Sequence, residues 1–322
     1  MTTVLVTGAA GFIGSHVSEA LIRRGDRVVG LDSFDTFYEP ARKRRNIELL
    51  ATSPSWSLVE GDIRSEADLH RAWELGPWDA VVHLAARAGV RSSIDDPLTY
   101  IDVNVAGTAR VLEFARRNGC RRILLGSSSS VYGSTTPAPF SEDAAAATPS
   151  SPYAATKRSN ELTARAYHEA YGFDVTVLRF FTVYGPRQRP DMAVHRFTAQ
   201  IDAGRHVDLY GDGASRRDYT YVADIVDGVV RALDRCDGWH MYNLGTTVTT
   251  PLLDLATMIA ERLGRELRVR HLPADRADVP LTHADISRAR RDLGYDPSTP
   301  VEEGLARFVA WYRAAGASSS PD

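Results

Sequence analysis

The stretch that most limits the fold is residues 4–14, VLVTGAAGFIG, a β-branched run followed by three glycines and the start of a helical pattern, Ile13–Arg24. Gly8, Gly11 and Gly14 let the backbone turn tightly and bring a pyrophosphate against helix N–H groups and the positive end of the helix dipole. Their spacing, G-x-x-G-x-x-G, is one residue longer at the start than the usual dinucleotide fingerprint. What supports the reading is context, since the glycines follow a strand and open a helix. Further strand-like runs occur at Arg27–Asp32, Ser57–Glu60, Ala80–Leu84, Arg122–Gly126 and Asp174–Phe181, separated by helical spacings such as Val103–Asn118. Several are almost continuously apolar, as in a parallel sheet covered on both faces. The alternation predicts an α/β fold with a doubly wound parallel (Rossmann-type) sheet.

Beyond about residue 180 the pattern is mixed. Loops rich in Gly, Pro and Arg separate helices near 192–203, 222–234 and 251–263, and PVEEGLARFVAWYRAAG closes the chain with an amphipathic helix. This predicts a dinucleotide-binding domain over 1–180, with part of 218–248 returning to it. A smaller mixed α/β substrate-binding lobe follows over 181–217 and 249–315, then a disordered tail, 316–322. The composition is globular, with 43% hydrophobic and 25% charged residues, and the net charge of −3 argues against a nucleic-acid or membrane-seeking surface. No run approaches the ~18 apolar residues of a membrane span. The N-terminus lacks signal-peptide features, and Cys120 and Cys236 have no metal-like spacing. Two free thiols in a reducing cytoplasm, and no metal, are expected.

Asp32 ends the second strand, 18 residues beyond Gly14. A carboxylate there accepts hydrogen bonds from an adenosine ribose and repels a 2′-phosphate, favouring NAD over NADP. The basic run Arg42–Arg45 reads as a solvated helix face. Asp62 and Ile63 in GDI, and Leu84, Ala85 and Ala86 in HLAA, end the third and fourth strands, at the edge where such sheets bind ligands. Asp62 is expected at the adenine, while His83 is read as a packing residue. The cofactor wall is completed by Phe12, Ile13 and Asn104 and, at the reacting end, by Tyr153 and Lys157.

Tyr153 and Lys157 in SPYAATKRSNEL are an i,i+4 pair on one helix face. An ammonium and a nicotinium ring near a phenol favour the phenolate, making Tyr153 a usable general base. Together with the glycine turn, Asp32 and the serine-rich ILLGSSSSVYG (123–133), the chain from Thr3 to Tyr312 resembles the extended short-chain dehydrogenases/reductases of the nucleotide-sugar epimerase and dehydratase group. The resemblance implies a tightly held NAD as hydride acceptor for C4 of the sugar, with Tyr153 taking the 4-OH proton and Ser128 bonding the same oxygen. Lys157 would hold the nicotinamide ribose. The dehydratase branch carries an Asp-Glu pair after its Thr, and the decarboxylase branch a Glu. Here Ser129 and Ser130 are neutral and poorly suited to elimination, which leaves oxidation and re-reduction of one carbon.

Three stretches, 37–50, 88–97 and 179–192, resemble the UDP-glucuronic acid 4-epimerases in particular. Thr182 and Thr282 depart from the pattern of the UDP-glucose enzymes. A glucuronate carboxylate needs several donors. Ser127, Ser128, Ser129 and Thr182 are assigned to a hydroxyl cradle, with Arg91 or Arg189 supplying positive charge. Arg187 is balanced between that role and a solvated loop. Arg217 resembles the family arginine that meets the diphosphate. Arg276 lies near a second such position, although Ala277 stands where the family has Gly. The alternatives are an epimerase of UDP-glucose or its N-acetyl relative, a UDP-glucuronate decarboxylase or dehydratase, and a non-catalytic NAD-binding protein. The resemblance also implies a homodimer paired through helical stretches 103–118 and 155–171.

Overall fold

The structure, a computed structural model, describes residues 1–273 and 279–317. Seven parallel strands form the central sheet: β1 (Thr3–Thr7), β2 (Arg27–Asp32), β3 (Trp56–Glu60), β4 (Ala80–His83), β5 (Arg122–Ser128), β6 (Asp174–Phe180) and β7 (Trp239–Leu244). Their order is β7-β6-β5-β4-β1-β2-β3. The sequence reversal on either side of β1 opens a crevice at the carboxyl ends of β1 and β4, where ligands bind in doubly wound sheets. β1 is buried from Val4 onward and β4 throughout, which explains their unbroken apolar sequence. The seventh strand carries WHMYNL and pairs with β6 from Trp239–Val175 to Leu244–Phe180. Its mixed composition hid it from strand periodicity.

Helix Phe12–Arg24 stops at Gly25, whose φ of 97° provides a left-handed cap. Helix Pro152–Tyr171 starts under a Ser151 cap, with Ser151 Oγ accepting from Ala154 N at 3.2 Å, and ends at left-handed Gly172. Two elements differ in detail from their sequence reading. β5 runs on through Ser128 before a 3₁₀ turn, Ser129–Tyr132, so the first two serines belong to the strand. The stretch 103–118 is not one α-helix, because a π-helical segment, Ile101–Ala106, precedes helix Gly107–Arg117.

The remaining chain builds a cap over the sheet's carboxyl edge from helices Ala193–Asp202, Leu252–Leu263 and Val301–Ala317 and from short strand pairs such as Val207–Tyr210 with Val269–Leu272. One hydrophobic cluster joins Val4 and Val6 of the sheet to Leu255 and Phe308 of the cap. Continuous packing of this kind fixes the cap on the sheet.

Candidate active site

A cleft of about 820 Å3 runs between sheet and cap. Its floor is the glycine turn. Gly8 has φ +70°, and a Cβ there would lie 2.9 Å from Ala85 N; a Cβ on Gly14 would lie 2.1 Å from Gly8 O. Side chains would therefore break the turn itself. Helix Phe12–Arg24 has no acidic residue in its first turn, so its N-terminal N–H groups and dipole present an uncompensated positive end. This cradle fits a pyrophosphate.

Asp32 is buried at the end of β2 and accepts from Ala10 N at 3.0 Å and Phe34 N at 2.9 Å. Burial raises its pKa, opposed chiefly by Lys43. Lys43 Nζ stands 3.9 Å from Asp32 and 5.0 Å from the centre of the Tyr38 ring. The run Arg42–Arg45 is thus not wholly a solvated face, since Lys43 is buried and matched by the Asp32 charge. The readable signal was the three-residue interval to Asn46, the other buried residue of helix Pro40–Asn46. Asp62, Ile63, Leu84, Ala85 and Ala86 line the same side of the cleft. Arg64 pairs with Asp62 at 2.7 Å and holds its carboxyl below the usual range.

Asn104, expected at the cofactor, and His83, read as a packing residue, both stand behind this wall. Asn104, in the π-helical segment, donates to Arg87 O at 2.9 Å and Thr156 Oγ1 at 3.0 Å, and accepts from Arg87 N at 2.7 Å. It ties the loop after β4 to helix Pro152–Tyr171 and does not line the cleft. His83 lies between Thr7 Oγ1 at 2.7 Å and Thr108 Oγ1 at 2.9 Å. Burial pushes its pKa down to about 3, so it stays a neutral packing residue.

At the reacting end, Ser128, Tyr153 and Lys157 all line the cleft. Lys157 Nζ donates to Gly126 O at 2.8 Å. Burial raises the Tyr153 pKa, opposed by the neighbouring Ser128 hydroxyl and the Arg189 charge. Burial thus works against the phenolate, and the Arg189 charge works for it. Burial lowers Lys157 to about 8 while Glu161 supports its charge.

The serines diverge. Ser127 Oγ donates to Glu161 Oε1 at 2.6 Å, so its hydroxyl is engaged behind the cradle. Ser128 Oγ accepts from Ser130 N and Ser130 Oγ. Ser129 and Thr182 line the cleft, Thr182 at the start of strand Thr182–Tyr184. Arg189 also lines it, chelated by Asp191 at 3.0 and 2.8 Å. Arg91 stacks 4.0 Å from the centre of the Tyr210 ring, and Arg217 lines the cap side. Arg187 instead pairs with Glu19 at 2.6 Å, away from the cleft. Arg276 lies outside the described residues.

Sequence reasoning missed Arg196, which lines the cleft with its Nε buried and unpartnered, and the buried pair Glu161–Arg179 at 2.8 Å. Glu161 follows Lys157 by four residues, which places it on the same face. Charges at such spacings usually mark a wet surface, so the signal pointed the wrong way.

Residues 4–245 match the NAD dependent epimerase/dehydratase family. The chain belongs to that family. UDP-glucuronate 4-epimerase 3 of Arabidopsis thaliana is 44% identical over 329 residues, covering 96% of this chain and 76% of the relative. The structure of UDP-glucuronic acid 4-epimerase from Bacillus cereus, solved with UDP-glucuronic acid and NAD, superposes with a TM-score of 0.91 at 35% identity, over 97% of this chain and 99% of that one. The dTDP-glucose 4,6-dehydratase DesIV from Streptomyces venezuelae superposes with a TM-score of 0.90 at 34% identity, over 97% of both chains. Backbone likeness alone thus does not separate epimerase from dehydratase, and the side chains of the site must.

Proposed function

We propose that the protein inverts C4 of UDP-glucuronate, giving UDP-galacturonate through a 4-keto sugar. The observation that carries this reading is the neutral turn Ser129–Ser130 beside Ser128 and Tyr153. An elimination needs a free acid or base there. Asp191 is engaged by Arg189, and Glu161 by Arg179, Ser127 and Arg158. Relatives named for this activity support the same substrate, that of Thermodesulfobacterium geofontis at 41% identity over 95% of both chains.

When bound, NAD supplies a hydride acceptor that later returns the hydride. The glycine turn and helix N-terminus would hold its pyrophosphate, Asp32 and Lys43 its adenosine ribose, and Lys157 its nicotinamide ribose. Tyr153 takes the 4-OH proton, and Ser128 bonds the same oxygen as charge develops. Tyr153 returns that proton after the sugar has presented its other face. Arg217 holds the diphosphate.

The C5 carboxylate is the hazard, because the oxidised sugar is a β-keto acid. Ser129 and Thr182, with Arg91 or Arg189, hold it so that its C–C bond stays out of line with the ketone π-system. Neutral donors do this without protonating an enolate. Changing Ser129→Glu tests the idea: the variant should release UDP-pentose alongside epimer, and a variant that epimerises with no pentose counts against it.

Exposed Ile94, Leu98, Ile101 and Leu162 lie on adjoining helical segments and support a homodimer formed through that face. No described helix is long and apolar enough to cross a membrane, and both cysteines are free and buried. These features suit a cytoplasmic enzyme, which fractionation of the source cells would check.

A further inference from the structure

The largest feature the mechanism above leaves unused is the buried ion pair beneath the serine turn. Glu161 and Arg179 side chains are each 1% exposed. Glu161 Oε1 accepts from Ser127 Oγ at 2.6 Å and Arg179 Nε at 2.9 Å; Oε2 accepts from Arg179 Nη2 at 2.8 Å and Arg158 Nη1 at 2.9 Å. Arg179 of β6 is the cross-strand partner of Ser127 on β5. Its guanidinium also lies 4.7 Å from the centre of the Tyr132 ring, at the far end of the 3₁₀ turn. One ion pair therefore grips the turn at both ends, at Ser127 and at Tyr132.

Tyr153, Lys157 and Glu161 recur at intervals of four on helix Pro152–Tyr171 and so share a face. The helix that carries the reacting phenol thus also carries the anchor for the serine that must meet it. We propose that Glu161 is a positioning residue: with Arg179 it clamps the turn 127–132 and sets Ser128 in register with Tyr153 and Lys157. Burying a carboxylate and a guanidinium is costly, and an apolar pair of equal volume serves stability as well. A costly pair set beneath a reactive turn points to placement, where a displacement of about 1 Å costs ~100-fold in rate.

The clamp has an electrostatic side. The groups facing the Lys157 ammonium are the Gly126 carbonyl from β5, neutral His83 from β4, and Glu161 from its own helix. Of these only Glu161 is charged, and it favours the ammonium.

The inference rests on the Tyr153–Lys157 chemistry proposed above, so wild-type turnover of UDP-glucuronate is measured first. Two variants then separate placement from bulk stability. Ser127→Ala keeps the ion pair and removes only its grip on β5. It should lower kcat about tenfold with KM within about twofold, and speed amide exchange across 128–132 about tenfold. The double change E161Q/R179M removes both members of the buried pair, releases the partly exposed Arg158, takes from Lys157 its one charged neighbour, and should move the alkaline limb of kcat/KM about one pH unit lower. A Ser127→Ala enzyme that loses only KM makes Ser127 a substrate contact and overturns the proposal. So does unchanged exchange in Ser127→Ala, or an unmoved limb in a folded double variant. If the wild type turns over no UDP-sugar the functional reading fails, while exchange in Ser127→Ala still decides whether the clamp exists.

Discussion

Ser128 accepts from a single neighbour twice, at 3.2 Å from Ser130 N and 2.9 Å from Ser130 Oγ. With both lone pairs engaged by Ser130, the Ser128 hydroxyl keeps its own proton free to donate into the cleft that Tyr153 also lines. That neighbouring hydroxyl favours the Tyr153 phenolate against the cost of burial. Lys157, lowered to about 8 by burial, is protonated below that pH and loses its charge as pH rises through it. We predict that kcat/KM falls on the alkaline side with an apparent pKa at or below about 8. A profile level to about pH 10, the ordinary lysine range, contradicts this. At this scale the sequence showed chemistry better than direction. Tyr153 and Lys157 could be paired from their spacing, but consecutive serines look identical in a sequence. Adjacent strand residues cannot aim the same way, so Ser127 turns to Glu161 while Ser128 meets Tyr153.

The strands of the sheet were legible wherever burial on both faces made them apolar, as in β1 and β4. β7 was not, because Trp239, His240 and Met241 are only half-buried on an edge strand. The π-helical segment Ile101–Ala106 was hidden for another reason: its apolar spacing matches an α-helix closely, and only Asn104, reaching Arg87 and Thr156, reveals the extra residue in the turn. The neighbouring helices Pro97–Tyr100 and Pro152–Tyr171 carry exposed apolar side chains, Leu98 at 76% and Leu162 at 55% exposure. A patch of this kind marks an interface. L98E/L162E should elute as a monomer where the wild type elutes as a dimer, and equal elution volumes would remove this face from the assembly.

For the whole molecule, the decisive relation is between a cofactor cradle on the sheet and a cap that brings Thr182, Arg189 and Arg217 over it. The doubly wound parallel sheet was deducible from alternating β and α, though not its strand order. The joint core, from Val4 to Phe308, was not, because contacts across some three hundred residues leave no local period. The backbone is shared with a dehydratase, so the reaction is decided inside the cleft, by neutral hydroxyls where an elimination needs acids. Proton NMR of the purified protein with UDP-glucuronic acid, without and then with added NAD, tests this most directly. The account predicts UDP-galacturonic acid accumulating toward a near-even ratio with its carboxylate intact. UDP-pentose or a 4-keto pentose as the main product would contradict it.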